Sequence, residues 1–384
     1  MTFSMMIPAV QYAGAGSIKK LENILNQEQI TNLLLFTDES VLSLGLCDSA
    51  LNILKQKQIK FEIISNLKAE PSYLDIEKAL NAVEMNDATA ILAIGGGSVI
   101  DAAKLCSLLY QADYTLRDVM EDSSIGTKKL ISIVVPTTCG TGAEATLNAI
   151  VVIPERETKQ GIVNSEMIPD YVILDSDMIR RLPKSILAAT GVDALAHAVE
   201  CFTSNKATPL SDTYAVASAK LIFKNIQKAY NNADDMIAKQ NMLLGAFYGG
   251  VAINGSGTTA VHALSYPLGG KFHLAHGVSN AILFAHVMEF NKDVCADRLA
   301  ILCDAVYPEF VSEHTEKKAQ KIIDKIAEIV KTTNIPTNLN EFGIKEDDLE
   351  DLVQAASQQT RLLVNNMKDL SLDDMRFIYH KVMK

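Results

Sequence analysis

Two runs in the first half of the chain, AILAIG at 90–95 and ISIVVPTT at 131–138, contain no charged residue. A strand that is apolar on both faces must be covered on both faces, as in a parallel sheet wrapped by helices. The surrounding residues alternate in the same sense. Strands are expected over Leu33–Thr37, Phe61–Ser65, Ala88–Gly95 and Leu130–Thr137. Helices are expected between them, over Ser17–Asn26, Ser49–Gln58, Ser72–Asn86 and Ser98–Gln111. Ligands of such sheets bind beyond the carboxyl ends of the strands.

From about Pro183 the alternation gives way to long helical patterns, over Ser185–Thr203, Asp212–Tyr230, Asp234–Ala252 and Ala319–Thr333. A chain of 384 residues exceeds one ordinary core. Two domains are therefore expected: an α/β nucleotide-binding domain over 1–182 and an all-α domain over 183–384. They part near Arg180–Lys184, where RRLPK is charged and carries a proline. Composition narrows the function classes. With 35 basic and 46 acidic residues the net charge is −11, which disfavours nonspecific nucleic-acid binding. Six cysteines without a CxxC pair read as buried thiols of a reducing compartment. No basic leader opens the sequence and no run is expected to cross a membrane, so a cytoplasmic protein is expected.

At the end of the Ala88–Gly95 strand stand Gly96, Gly97 and Ser98, followed by a helical pattern. Glycines let a backbone approach a pyrophosphate, and the helix start offers free N–H groups and partial positive charge. Ser98 would cap the helix or donate to phosphate. The alternative is a tight strand-to-helix turn with no ligand. The pattern is neither GxGxxG nor a P-loop. A second loop, PTTCGTGAE at 136–144, places Thr137, Thr138 and Thr141 at the end of the next strand. It suits ribose and phosphate contacts, or a capped turn. Asp38, ending LLLFTD, would accept from the ribose hydroxyls of NAD and repel the 2′-phosphate of NADP. As a bland alternative it caps the segment that follows.

Asp193 and His197 are spaced i, i+4 and share a helix face. His262 and His276 lie among small residues in later segments. Three imidazoles and a carboxylate suit one divalent transition metal if they converge. Separately, each histidine reads as a core residue and the Asp193/His197 pair as a hydrogen bond.

In this order, GGGSVIDAAK, PTTCGTGAEAT, GVDALAHAVE and HALSYPLGGKFHLAHGVSNAI resemble the iron-containing (group III) alcohol dehydrogenase family. The likeness runs from Asp38 to the terminal helices. It implies the dehydroquinate synthase-like fold: a dinucleotide-binding domain, a helical domain, and metal with nicotinamide in the cleft between them. It implies Asp193, His197, His262 and His276 as ligands of Fe2+, with Zn2+, Mn2+ or Ni2+ also suited. Gly96, Gly97 and Ser98 match the pyrophosphate loop, Thr137, Thr138 and Thr141 the second cofactor loop, and Asp38 the position tied to NAD preference. Ile150 and Lys159 match the nicotinamide end. The implied activity is NAD(H)-linked interconversion of a small alcohol or diol and its aldehyde, by a cytoplasmic homodimer with no membrane or nucleic-acid partner. The metal would lower the pKa of the alcohol oxygen, and hydride would pass to the nicotinamide.

Two departures matter, at Tyr266 with His273 and at Glu70, and the change at Cys139 is a tolerable one. Tyr266 replaces a frequent cleft histidine, and His273 stands three residues before the last ligand. Either would serve a proton relay, or both would shape the pocket. Glu70 precedes Pro71 where many members carry Asn, and Cys139 replaces a small residue. A glycerol-dehydrogenase-like Zn2+ polyol enzyme, a dehydroquinate-synthase-like lyase and a degenerate nucleotide-binding protein are the other readings of the same motifs.

Overall fold

The computed structural model describes residues 2–156 and 158–383. The chain forms two compact units, Met6–Arg156 with Gln160–Leu182, and Pro183–Lys384 with short segments before residue 6 and around 158–159. The unit change thus falls at Leu182–Pro183, and two short excursions interrupt a simple two-part division.

The strands are Val10–Ala13 (β1), Asn32–Phe36 (β2), Lys60–Ile64 (β3), Ala90–Gly95 (β4), Ile131–Pro136 (β5), Asn148–Ile153 (β6), Thr158–Val163 (β7) and Tyr171–Leu174 (β8). Six of them make one parallel sheet in the order β1-β8-β5-β4-β2-β3, and β6 and β7 pair as a separate ribbon. Every residue of β4 and β8 is buried, which is why their sequences carry no polar alternation. β3 is an edge strand, and it carries exposed Lys60 and half-buried Glu62 there. The four expected strands exist, each within two residues of its expected ends. Four strands are extra: β6 and β7 of the ribbon, and β1 and β8 of the sheet, which at four residues each are too short for a period to show.

The strand order reverses between β2 and β4, so the carboxyl ends of these two strands flank the switch point. Asp38 follows β2 and Gly96 follows β4. The helix after β4, α1 (Gly97–Leu109), starts at once, with Gly96 rather than Ser98 as its N-cap. The helix expected over Ser72–Asn86 ends at Asn81. Beyond it, side chains replace helical partners: Glu62 accepts from the N–H groups of Glu84 and Met85, and the Tyr110 hydroxyl donates to the Met85 carbonyl. The expected helix Ser17–Asn26 begins as a 3-10 turn and becomes α-helix only at Leu21.

The helical unit is built on α2 (Lys184–Phe202), which packs against α3 (Pro209–Asn231), α4 (Met236–Ser256) and α6 (His276–Val306). A shorter helix, α5 (Ala260–Phe272), packs on α6. By length and hydropathy α2 is apolar enough to cross a membrane, contrary to the expectation that no run is. It is instead a core helix, 83% of that window being buried inside the protein. Among the described residues it is the one helix of that kind. All six cysteines are free and buried.

One glycine sets the distance between α2 and α6. A Cβ on Gly277 would lie 2.3 Å from the carbonyl oxygen of Ala189, far inside van der Waals contact with backbone. Neither helix can retreat without opening the core. Gly277→Ala should therefore cost about 1–3 kcal/mol by overpacking. The check is a lower Tm in thermal melts; an unchanged Tm would show that the two backbones are free to part.

Candidate metal centre and cofactor loops

Asp193 and His197 lie one turn apart on α2, and Glu200 follows on the same face. His262 sits in the first turn of α5. His276 is the first residue of α6. Only three residues join α5 to α6, and His273 makes that turn possible. It takes a left-handed conformation (φ 56°) at the end of α5, and the next N–H, of Leu274, donates back to the Leu268 carbonyl. The short link brings His262 and His276 to one place.

The ligand atoms of Asp193, His197, His262 and His276 all lie within 4.8 Å of one another. Asp193 Oδ1 stands 3.8, 3.6 and 3.7 Å from Nε2 of His197, His262 and His276. Atoms bound about 2.0–2.2 Å from one centre in a tetrahedron lie roughly 3.3–3.6 Å apart. The quartet therefore fits a divalent ion with little movement. The donor chemistry fits as well, because the facing lone pairs repel one another unless a cation or proton lies among them.

Electrostatics report the same crowding. Burial opposes ionisation of Asp193, but the imidazoles of His197, His276 and His262 outweigh it and hold its carboxyl well below the usual range. Burial also works against a charge on His262, yet Glu200 and Asp193 raise its pKa to about 9. Burial pushes His276 down to about 3, helped by Lys159 and the other imidazoles and opposed by Asp193. His276 is thus neutral, the form that binds a metal, while His262 carries the proton an ion would displace.

Two residues absent from the sequence reading complete this centre. Glu200, fully buried, meets Nδ1 of His262 in a short contact and accepts from the N–H groups of Thr259 and Val261 at 3.0 and 2.8 Å. It caps α5 and orients its histidine together, the carboxylate–histidine arrangement common behind metal ligands. The i, i+4, i+7 spacing of Asp193, His197 and Glu200 is a signal that was present in the sequence. Asn280, one turn after His276, donates to Asp193 Oδ1 at 2.7 Å. Tyr266 lies edge-on to His276 with ring centroids 6.0 Å apart, whereas His273 is exposed. Lys159 approaches α5 at Gly269, where a Cβ would meet its Nζ at 2.9 Å.

The other expected residues gather at the strand ends of the sheet unit. Gly97 faces Thr141, whose methyl and hydroxyl would lie 2.7 Å from an added Cβ, and Gly96 faces Thr138 more loosely. Packing of the two loops alone thus demands glycine at 97. Ser98 Oγ accepts from the Glu70 N–H at 3.1 Å, holding Glu70 in a left-handed conformation before Pro71. No helix follows the second loop, so Thr137 and Thr141 are not helix caps; Thr141 accepts from Ala143 within its own turn. Asp38 does cap a short helix, accepting from the Val41 N–H at 2.9 Å with Oδ1. Ile150, half-buried in β6, gives its N–H to Asp101. Lys104, buried on α1, donates to the carbonyls of Ala143 and Thr146 at 2.9 and 3.3 Å and to that of Asn148. Asp101 neutralises it at 3.0 Å. An internal cation thus fixes the far side of the second loop. Within that loop burial raises the Glu144 carboxyl to about 7.

Replacing Glu200 by Gln tests how His262 is held. An amide nitrogen facing Nδ1 would move the ring proton to Nε2, the atom aimed at Asp193. Divalent-metal affinity of Glu200→Gln, measured by calorimetry, should fall about 10–100-fold with the fold retained. Wild-type affinity would remove Glu200 from the centre.

Comparisons with known proteins agree in family. Residues 8–176 match the family model described as iron-containing alcohol dehydrogenase. Residues 187–383 match the model of the C-terminal part of the Fe-containing alcohol dehydrogenase family. Long-chain-alcohol dehydrogenase 1 of Geobacillus thermodenitrificans is 34% identical over 98% of this chain and 95% of its own length. The NAD-dependent methanol dehydrogenase of Bacillus methanolicus is 28% identical over 92% and 93%. The crystal structure of a 1,3-propanediol oxidoreductase superposes with a TM-score of 0.93 at 25% identity, covering all of both chains.

Proposed function

Because the chain belongs to the iron-containing alcohol dehydrogenase family, we propose that it is a metal-dependent, NAD(H)-linked dehydrogenase of a small alcohol or diol and its aldehyde. The observation that carries this reading is the convergence of Asp193, His197, His262 and His276 on one point. Iron(II) is the metal the family name carries, and the same donors suit Zn2+, Mn2+ and Ni2+. Held there, the ion would act as a Lewis acid on the alcohol or carbonyl oxygen, and NAD would accept the hydride or, reduced, return it.

The residues support this in separable ways. Asp193 contributes the negative charge of the quartet, and Glu200 keeps His262 presenting Nε2. Gly96, Gly97 and Ser98 offer the start of α1 to the cofactor's phosphates, and Thr137, Thr138 and Thr141 offer hydroxyls from the neighbouring loop. Ile150 and Lys159 are assigned to the nicotinamide end. Asp38 supports NAD over NADP: Oδ1 is engaged by Val41, and Oδ2 is the oxygen that would receive a ribose hydroxyl and repel a 2′-phosphate. Six free, buried thiols support a cytoplasmic setting. Assembly as a homodimer rests on the family resemblance.

Metal-stripped protein, reconstituted in turn with Fe2+, Zn2+, Mn2+ and Ni2+, tests the reading against primary alcohols, diols and matching aldehydes. NADH absorbance should report turnover only with metal, and faster turnover with NAD than with NADP. Activity that ignores the metal would end the proposal.

We assign proton handling to Tyr266, the side chain packed on a ligand, over His273 at the exposed helix end. Tyr266→Phe should lower kcat and change its pH profile, while His273→Ala should keep both. A displaced profile in His273→Ala would transfer the role to that histidine.

A further inference from the structure

Asn280 is fully buried on α6, yet its amide oxygen has no hydrogen-bond partner. Such an orphaned buried acceptor is destabilising, because it has given up water without gaining a partner. A leucine would fill the same space without that cost, so the residue's value lies in its NH2 group. That group donates to Asp193 Oδ1 at 2.7 Å and stands 3.2 Å from Nε2 of His262 and 3.3 Å from Nε2 of His276. These three atoms form one triangular face of the quartet, with His197 as the remaining vertex. The amide sits over that face.

We propose that Asn280 is a positioning residue of the metal centre with two effects. Its hydrogen bond fixes the rotation of the Asp193 carboxylate so that Oδ1 faces the three imidazoles. Its bulk closes the Asp193/His262/His276 face to water, so an oxygen from solvent or substrate must enter through a face that His197 borders. The opposite amide orientation would put a carbonyl oxygen against the carboxylate oxygen, which only direct ligation of an ion would offset. The proposal rests on the quartet holding a divalent metal, and the same experiment tests both.

Cobalt(II) is the probe, because the intensity of its visible d–d bands falls as coordination number rises. Affinity is read by titration and coordination by the spectrum, on full-length wild type, Asn280→Leu and Asn280→Ala. Asn280→Leu, close in volume, should bind Co2+ about tenfold more weakly with an unchanged spectrum. Asn280→Ala should bind more weakly and also lose band intensity as water enters the opened face. If the alanine variant does not fold, the leucine variant decides alone. Wild-type affinity in Asn280→Leu would overturn the proposal. Stronger bands in that variant would overturn it too, since they would make Asn280 a ligand. Failure of the wild type itself to bind Co2+ would overturn the metal reading, and this proposal with it.

Discussion

The helical unit is organised around a carboxylate that water does not reach. Asp193 is 1% exposed, and an ionised group so placed costs several kcal/mol unless it is matched. Three imidazoles and one amide surround it, drawn from three different helices. The imidazoles turn ring nitrogens towards it, so the arrangement favours positive charge inside it. Without an ion, Glu200 and Asp193 favour that charge as a proton on His262, raising its pKa to about 9 against the effect of burial. A divalent ion satisfies the same demand with all four donors at once, and this makes the cluster a binding site rather than a tolerated defect.

Placing four donors within 4.8 Å requires backbones closer than ordinary side chains permit. Gly277 lets α6 touch the backbone of α2 beside Ala189. Left-handed His273 reverses the chain between α5 and α6 in three residues. Glu200 ties the start of α5 to α2. The sheet unit solves a parallel problem differently. Its two glycine-containing loops are locked to each other by Thr141 against Gly97, and Lys104 gathers three carbonyls that no strand or helix could pair. Lys104 is 1% exposed, so a buried ammonium here takes a structural place that small domains often give to a metal.

Legibility followed the length of the periodic segment. AILAIG and ISIVVPTT could be read as doubly covered strands because nothing in them is charged. β1 and β8 could not, since four residues carry no period, yet they supply one third of the sheet. Asp38 was ambiguous and proved to be a helix cap at the switch point, so both readings of its position survive. Glu200 was in plain view one turn beyond His197. It was missed because a buried carboxylate announces itself only when its partner, His262, is known to lie opposite. Asn280 gave no signal, being one small polar residue beside Ser279 in a largely apolar helix.

The local sequence determined the parallel sheet, the helical half and the two sets of motifs, because these depend on burial patterns and backbone freedom within short stretches. Asp193 and His197 on one helix face follow from helix geometry alone. That His262 and His276 join them, that Glu200 and Asn280 stand behind them, and that His273 serves as a helix terminus were decided by tertiary structure. Those contacts span up to 87 residues of chain, as between Asp193 and Asn280. Their energy comes from matching buried charge to buried dipoles, a quantity that exists only once the helices are packed.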